Sequence, residues 1–204
     1  MNYKFMIRMI KKIGIILHPY LLVERIRWIF CSFKLKECGK KSFMSYSFSI
    51  IEPQNITMGS NVSFGHNSII ACYEYHFKIK TGYKPELCIG SNIQFGSYNH
   101  ISCLNKIKIG DGVLTGDNVS IIDNFHGKLS IDEMNIEPAK RDLYSKGPIT
   151  IGKNVWIGKN VCIMPNVTIG DYAIIGANAV VTHDIPAYAI AAGVPAKVTK
   201  VMKK

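Results

Sequence analysis

The C-terminal third of the chain repeats its apolar residues every six positions. A β-branched aliphatic residue leads each repeat, and a second small or aliphatic residue follows four places later. A period of six matches neither the 3.6-residue period of an α-helix nor the alternation of a simple strand. It predicts short strands separated by turns, three per coil, whose aliphatic residues stack into continuous interior rows. The leading residues are Ile151, Ile157, Ile163, Ile169, Ile175 and Val181, and the second residues are Val155, Val161, Val167, Ala173, Ala179 and Ile185.

Glycine and asparagine recur at fixed places between these apolar residues. Glycine often follows the leading residue directly, and asparagine often stands three places after it. Both tolerate positive φ better than other residues do, so the pattern predicts a turn in each repeat. The glycines are Gly152, Gly158, Gly170 and Gly176, and the asparagines are Asn154, Asn160, Asn166 and Asn178.

The same period appears earlier in the chain, where it is interrupted three times. The interruptions are an insertion around 73–86, a two-residue slip between Phe95 and Ile109, and a long polar excursion over about 124–146. Long loops on a repeat scaffold more often carry function than stability. We therefore expect the excursion to be a loop thrown out from one corner of the coil and to contribute to a site.

Residues 1–45 form a basic, amphipathic segment before the repeats, and we expect it to be helical. Of the net charge of +11, most lies in 1–41, which contain ten lysines and arginines and two glutamates. The longest charge-free run, 13–23, is far shorter than the roughly 20 apolar residues that span a bilayer. Two interpretations remain open: the segment lies on an anionic membrane surface with Trp28 at the interface, or it caps the open end of the domain.

Charge and cysteine usage narrow the setting in which we expect the protein to act. No nucleic-acid-binding motif accompanies the positive charge, so we predict no nucleic-acid partner. We expect no leader peptide with a small-residue cleavage site before the domain. The six cysteines are scattered and form no C-x-x-C pair. We predict reduced cysteines and a cytoplasmic protein, with peripheral contact at the cytoplasmic face of the inner membrane if residues 1–41 bind lipid.

Three stretches of the repeat region resemble a known family. They are Gly147 to Gly158 (GPITIGKNVWIG), Ile169 to Thr182 (IGDYAIIGANAVVT) and Ala192 to Lys197 (AGVPAK). They resemble the hexapeptide-repeat acetyltransferases, with the closest likeness to the O-acetyltransferases of O-antigen and capsular polysaccharide and to the maltose and galactoside enzymes. The resemblance covers about residues 50–200. It implies an all-β, left-handed parallel β-helix over 46–204 and a homotrimer; the period alone does not decide the hand.

The resemblance also implies a catalytic histidine where the long loop leaves the coil. His126, in the stretch Ser120 to Gly127 (SIIDNFHG), occupies that place. An imidazole suits the removal of a proton from an alcohol at neutral pH while the alcohol attacks a thioester. Asp123 or Asn124 is the predicted group that orients its ring.

Acetyl-CoA is the co-substrate that the family implies, and its contacts carry over by position. Acetyl-CoA needs contacts along its pantetheine arm and cations beside its phosphates. Trp156 either flanks the acceptor cleft or covers a corner of the coil. With Trp156, the predicted residues are Lys159, Ala177, Thr182, His183, Lys197 and Lys200.

The sequence thus predicts transfer of acetyl from acetyl-CoA to a sugar hydroxyl, with a free or lipid-linked saccharide of a surface polysaccharide as acceptor and no metal. N-acetylation of an amino sugar or a xenobiotic on the same fold is one alternative. A non-catalytic β-helix scaffold is another. A zinc site of the γ-carbonic-anhydrase type would need three converging histidines, for which His66, His100 and His126 are the candidates; their spacing does not resemble that family's motif.

Overall fold

Three parallel sheets form the faces of a left-handed β-helix, as the six-residue period and the family resemblance predict. The structure is a computed structural model, and it describes residues 19–128 and 130–202. Each sheet takes one short strand from every coil, and the strands pair in parallel with their equivalents one coil away, except for the antiparallel last pair of the second sheet. The chain therefore winds repeatedly around one apolar interior.

The strands are distributed as follows. The first sheet contains β1 (Glu37–Cys38), β4 (Ile56–Met58), β9 (Glu86–Ile89), β12 (Lys106–Ile109), β17 (Ile149–Ile151) and β20 (Thr168–Ile169). The second contains β2 (Phe43–Met44), β5 (Ser63–Phe64), β10 (Gln94–Phe95), β13 (Leu114–Thr115), β18 (Trp156–Ile157), β21 (Ile174–Ile175), β23 (Ala189–Ala192) and β24 (Lys197–Val201). The third contains β3 (Ser49–Ile51), β6 (Ile69–Cys72), β11 (His100–Cys103), β14 (Ser120–Ile122), β19 (Cys162–Ile163) and β22 (Val180–Val181).

The interior consists of the apolar positions that the period singles out. All twelve leading and second residues from Ile151 to Ile185 are at most 3% exposed. Burial of one Ile or Val side chain stabilises a fold by about 1.5–3 kcal/mol, so the rows hold the coils together collectively. The predicted interior is confirmed without exception in this region.

The asparagines of the repeats adopt the predicted turn conformation. Asn154, Asn160, Asn166 and Asn178 all have φ between 54° and 63°. Their side chains also bond from coil to coil, since the amide nitrogen of Asn160 donates to the Asn178 oxygen over 2.9 Å. Asparagine therefore serves both the turn and the stacking of successive corners.

The glycines that follow the leading residues have a different role from the one predicted. Gly158 does not have positive φ. A Cβ atom placed on it would lie 2.6 Å from the backbone nitrogen of Ala177 in the next coil. Glycine is required there because successive coils approach closely at the corner, and the expectation of a φ > 0 turn at this position was wrong.

The N-terminal helix α1 (Pro19–Ser32) packs on the first coil. Trp28 is only 7% exposed, and its indole Nε1 donates to the Ser42 carbonyl over 2.9 Å. The Arg27 guanidinium lies over the Phe48 ring and donates to the Phe48 carbonyl. The part of the basic segment that the structure describes therefore caps the coil; the prediction for 1–18 lies outside the described residues. Among the helices of 19–202 that are described, none is long and apolar enough to cross a membrane.

Strand pairing begins before the boundary at 45/46 that the sequence pattern places. Glu37 in β1 already lies opposite Thr57 in β4. The two long interruptions each form an antiparallel hairpin outside the three sheets: β7 (Tyr75–His76) with β8 (Ile79–Lys80), and β15 (Phe125–His126) with β16 (Leu143–Tyr144). The second excursion also contains the short helix α2 (Ile131–Met134), and 3₁₀ turns lie at Pro138–Lys140 and, before β4, at Pro53–Asn55.

Candidate active site

The predicted base His126 lies in β15, immediately outside the coil. The chain leaves the third sheet at the end of β14, and His126 then pairs with Leu143 of β16. The next amide, that of Gly127, donates to the Asp142 carbonyl over 2.8 Å. The backbone around the imidazole is thus fixed by the hairpin, while its side chain is exposed.

A cleft of about 360 Å³ opens beside this imidazole. The His76 ring stands edge-to-face against the His126 ring, with 5.8 Å between the two centroids. The cleft has aromatic, hydroxyl and amide groups around these two rings, which suits a polar ligand with a hydrophobic ring face. Its polar lining comes from Tyr73, His76, His100, Ser102, Asn124 and His126.

Burial affects two of the histidines in the cleft. The pKa of His76 is lowered, first by burial and then by the charge of His126, against the opposing effect of Asp142. Burial also lowers the pKa of His100. The lowered pKa of each ring favours its neutral form, which offers one hydrogen-bond donor and one acceptor.

Asp123 and Asn124, the predicted orienting groups, have other partners. The Asp123 carboxylate is buried and accepts from the amides of Leu104 and Asn105 over 2.7 and 2.9 Å. The Asn124 amide nitrogen donates to the backbone and hydroxyl oxygens of Ser102. Among the described residues the His126 ring has no hydrogen-bond partner. The structure thus places Asp123 and Asn124 at the point where the loop leaves the coil, where they hold the adjacent turn.

The Asp123 carboxylate is under two opposing influences. Its pKa is raised by burial, which disfavours the charged form, and the donating amides of Leu104 and Asn105 act in the opposite direction. Removing the carboxylate would leave these two amides without their acceptor.

Two of the predicted CoA contacts, Trp156 and Lys200, lie in one row across the second sheet. Trp156 pairs with Ile174, Ile174 with Ile190, and Ile190 with Lys200. Three strand spacings separate the ends of the row, about 14 Å. Lys197 is nearby, opposite Ala192 in the same antiparallel pair.

The remaining predicted contacts lie at the two edges of the third sheet. Lys159 and Ala177 lie in successive coils, at the corner between the second and third sheets. There the Asn178 amide donates to the Lys159 carbonyl over 2.9 Å. Thr182 and His183 are joined by a 2.8 Å contact between Oγ1 and Nδ1 and follow β22, at the edge from which the His126 loop departs. Within one chain, Thr182 and His183 therefore lie at the same edge of the third sheet as His126, whereas Lys159 and Ala177 lie at the opposite edge.

The sequence pattern did not single out His76, although the signal was present. Ile70, Ile101 and Ile121 are stacked in register, so the insertion after Cys72 and the excursion after Ile122 leave the same edge two coils apart. The two loops must then be neighbours. Their contact includes a bond from the Ser145 amide to the Tyr83 hydroxyl over 3.2 Å.

The three histidines considered for zinc do not converge. His66 lies at the opposite edge of the third sheet, stacked on Tyr46 and bonded to Ser97. Over the described ranges 19–128 and 130–202, no group of three metal-ligating side chains is placed to hold an ion.

The comparisons with known proteins agree with this fold. The pattern "bacterial transferase hexapeptide (six repeats)" matches residues 148–183. A left-handed parallel β-helix built on that repeat defines the class of fold, and over residues 148–183 this chain is similar to the hexapeptide-repeat transferases.

Two curated relatives from Escherichia coli strain K12 are similar over the repeat region. One is named for O-acetyl transfer in lipopolysaccharide biosynthesis and is 38% identical over 113 residues, which cover 53% of this chain and 57% of that protein. The other is galactoside O-acetyltransferase, 44% identical over 112 residues, which cover 54% of this chain and 55% of that protein. The chain therefore matches somewhat more than half the length of each.

A solved structure extends the likeness of fold over most of the chain. A mutant of the N-acyltransferase AntD from Bacillus cereus, in complex with dTDP-4-amino-4,6-dideoxyglucose and coenzyme A, has a TM-score of 0.67 and 21% identity. The match covers 85% of this chain and 87% of that one. At this identity the likeness concerns the fold.

Proposed function

We propose that this protein transfers the acetyl group of acetyl-CoA to a hydroxyl of a sugar, with His126 as general base. The observation that carries the proposal is the exposed imidazole of His126 at the mouth of a polar cleft, on a backbone that the hairpin fixes. The relatives named for O-acetyl transfer support the same chemistry. The acceptor that best fits the polar cleft and these relatives is a saccharide of a surface polysaccharide, free or lipid-linked.

The reaction needs one proton transfer and one acyl transfer. The acceptor oxygen attacks the thioester carbonyl carbon as His126 takes its proton, and a new C–O bond forms. The C–S bond then breaks, and the imidazolium returns the proton to the departing CoA thiolate. A positioned base of this kind accelerates such a reaction by about 10²- to 10⁴-fold.

The proposed function is tested by measuring thiol release from acetyl-CoA over an acceptor panel. The panel contains p-nitrophenyl glycosides, nucleotide sugars, polyprenyl-pyrophosphate-linked sugars and amino sugars. We expect thiol release that depends on one sugar class. No turnover with any of them, combined with no thermal stabilisation by CoA, would contradict the proposal and favour the scaffold alternative.

The row from Trp156 to Lys200 supports a proposed CoA site along the second sheet. Replacing Lys197 and Lys200 together by alanine is expected to raise the KM for acetyl-CoA by about five- to tenfold, because each lysine offers a solvent-screened charge to a phosphate. The KM for the acceptor should stay constant. Lys108→Ala, on the first sheet, serves as the matched control, and an equal effect there would count against the assignment.

We infer that the active unit is a homotrimer. Two features support this: the predicted CoA contacts lie at two separate edges of one chain, and the second sheet exposes apolar side chains, with Trp156 53% exposed. A second copy can cover that face and complete the site between chains. Light scattering on the active protein should give three times the chain mass, whereas full activity from a monomer would contradict the inference.

We also propose that α1 rests on an anionic membrane surface at the cytoplasmic face of the inner membrane. While Trp28 packs inward, the outward face of α1 exposes apolar residues: Phe30 is 67% exposed, and Phe33, directly after the helix, is 82% exposed. The remaining exposed apolar residues of this face are Leu22, Val23, Ile26 and Ile29. Basic residues surround this face, including Arg25 and Lys34, and each cation near an anionic surface contributes about 1 kcal/mol.

Replacing both Phe30 and Phe33 by glutamate should weaken binding to phosphatidylglycerol vesicles by at least about tenfold, because it removes apolar contact and adds negative charge. Cosedimentation measures the effect, and thiol release with a soluble acceptor should not change. Ile131→Glu with Met134→Glu makes the same change of charge on the loop and should leave vesicle binding intact. Equal binding by the α1 variant and the wild type would overturn the membrane proposal.

A further inference from the structure

The hairpin β7–β8 places a second imidazole against the predicted base. His76 lies at the end of β7, and its ring stands edge-to-face with that of His126 at 5.8 Å between centroids. Both rings line the same cleft, and His76 is only partly exposed. A molecule that enters this cleft to bring a hydroxyl to His126 therefore also meets His76.

Side-chain hydrogen bonds at both ends of the β7–β8 hairpin hold His76 in this position. The Glu52 carboxylate accepts from the amides of Glu74 and Tyr75 over 2.7 and 2.9 Å, which fixes the start of β7. The Thr81 hydroxyl donates to the carbonyl of Tyr73 or of Glu74 and closes the other end. A hairpin bound at its base in this way presents His76 as a fixed group rather than a freely moving one.

We propose that His76 hydrogen-bonds the acceptor hydroxyl next to the one that His126 deprotonates, so that the acceptor presents a vicinal diol of a sugar ring. Two adjacent hydroxyls of a pyranose lie about one hydrogen-bond length apart, and two rings at this separation can each reach one of them. The inference rests on the proposed function and deepens it, since it names the part of the acceptor that is recognised.

The state of the His76 ring fits this role. Burial and the neighbouring His126 lower the pKa of His76, while Asp142 opposes them. A neutral imidazole can donate to or accept from a hydroxyl, whereas a charged one would only donate. His76 can therefore bind the neighbouring hydroxyl in either orientation.

The test uses His76→Ala and His76→Phe with the best acceptor of the panel and its analogue that lacks the hydroxyl next to the acetylated one. Phenylalanine keeps a ring against His126 but has no nitrogen. In the wild type, we expect the deoxy analogue to lose about tenfold in kcat/KM, the worth of one hydrogen bond. Both variants should lose about tenfold with the full acceptor and should then discriminate against the analogue by less than about twofold.

Lys78→Asn, in the turn of the same hairpin, is the matched control and should behave as the wild type. The KM for acetyl-CoA should be the same in all these proteins. A variant that loses activity but still discriminates fully against the deoxy analogue would show a structural role and overturn the inference. Wild-type turnover that is unaltered in His76→Ala would also overturn it and leave the proposed function standing. The absence of any wild-type turnover would remove both.

Discussion

Replacing His126 by alanine is expected to lower acceptor-dependent thiol release by about 10²- to 10⁴-fold. The exposed ring has no hydrogen-bond partner among the described residues, so its removal leaves no buried group unsatisfied. The hairpin is held by backbone pairing between Phe125–His126 and Leu143–Tyr144, which does not depend on the side chain. Steady-state kinetics with the best acceptor of the panel measures the effect.

Two accompanying measurements separate lost chemistry from lost structure. His126→Ala should keep the melting temperature of the wild type and its stabilisation by CoA. Lys128→Ala, two residues further along the same loop, should retain most of the activity. If His126→Ala turns over normally, the base must lie elsewhere in the cleft.

The second large effect concerns stability, through the buried carboxylate of Asp123. Asp123→Asn is expected to lower the free energy of unfolding by about 1–3 kcal/mol, the cost of one buried donor left unsatisfied. An asparagine oxygen can still accept from one of the two amides at Leu104 and Asn105, but its amide group then faces the other, and two donors oppose each other. Chemical denaturation monitored by circular dichroism measures the change.

Asp117→Asn offers a matched control. The Asp117 carboxylate accepts one bond, from the Ser97 amide over 2.8 Å, at a half-buried corner. We expect a smaller loss of stability there. If Asp123→Asn instead keeps the stability of the wild type and loses as much activity as His126→Ala, Asp123 acts on the imidazole and its role in the turn is secondary.

The coil could be predicted from the sequence because every repeat meets the same physical requirements. Ile157 and Ile175 are both leading residues, and they lie in register in the second sheet because each fills the same interior row. Asn160 and Asn178 have the same φ region because each occupies the equivalent turn of its own coil. A six-residue period constrains all these positions at once, so few alternatives remain.

The contacts of the site could not be predicted in the same way, because its loops do not repeat. The sequence predicted that Asp123, three residues before His126, orients the imidazole ring. The Asp123 carboxylate instead accepts from amides of the previous coil. His76 owes its position to Glu52, which precedes it by more than twenty residues, in another coil. Such contacts depend on how two insertions pack together, which a single sequence does not show.

Glycine shows the same limit inside the repeats. Gly158 and Asn160 lie in one corner, and the sequence interpretation gave both the same reason, a tolerance of positive φ. Only Asn160 has it. Gly158 is required by the backbone of Ala177 in the next coil, a distance that only the stacked structure reveals.

The most direct test of the central claim is analysis of the product formed from acetyl-CoA and the best acceptor. We expect a saccharide heavier by one acetyl group, formed together with one equivalent of CoA thiol. Mild base should remove that acetyl group, because it is held as an ester on oxygen. A base-stable product would identify N-acetylation. Thiol release with free acetate as the only product of the acetyl group would show hydrolysis. Either result would contradict transfer to a sugar hydroxyl.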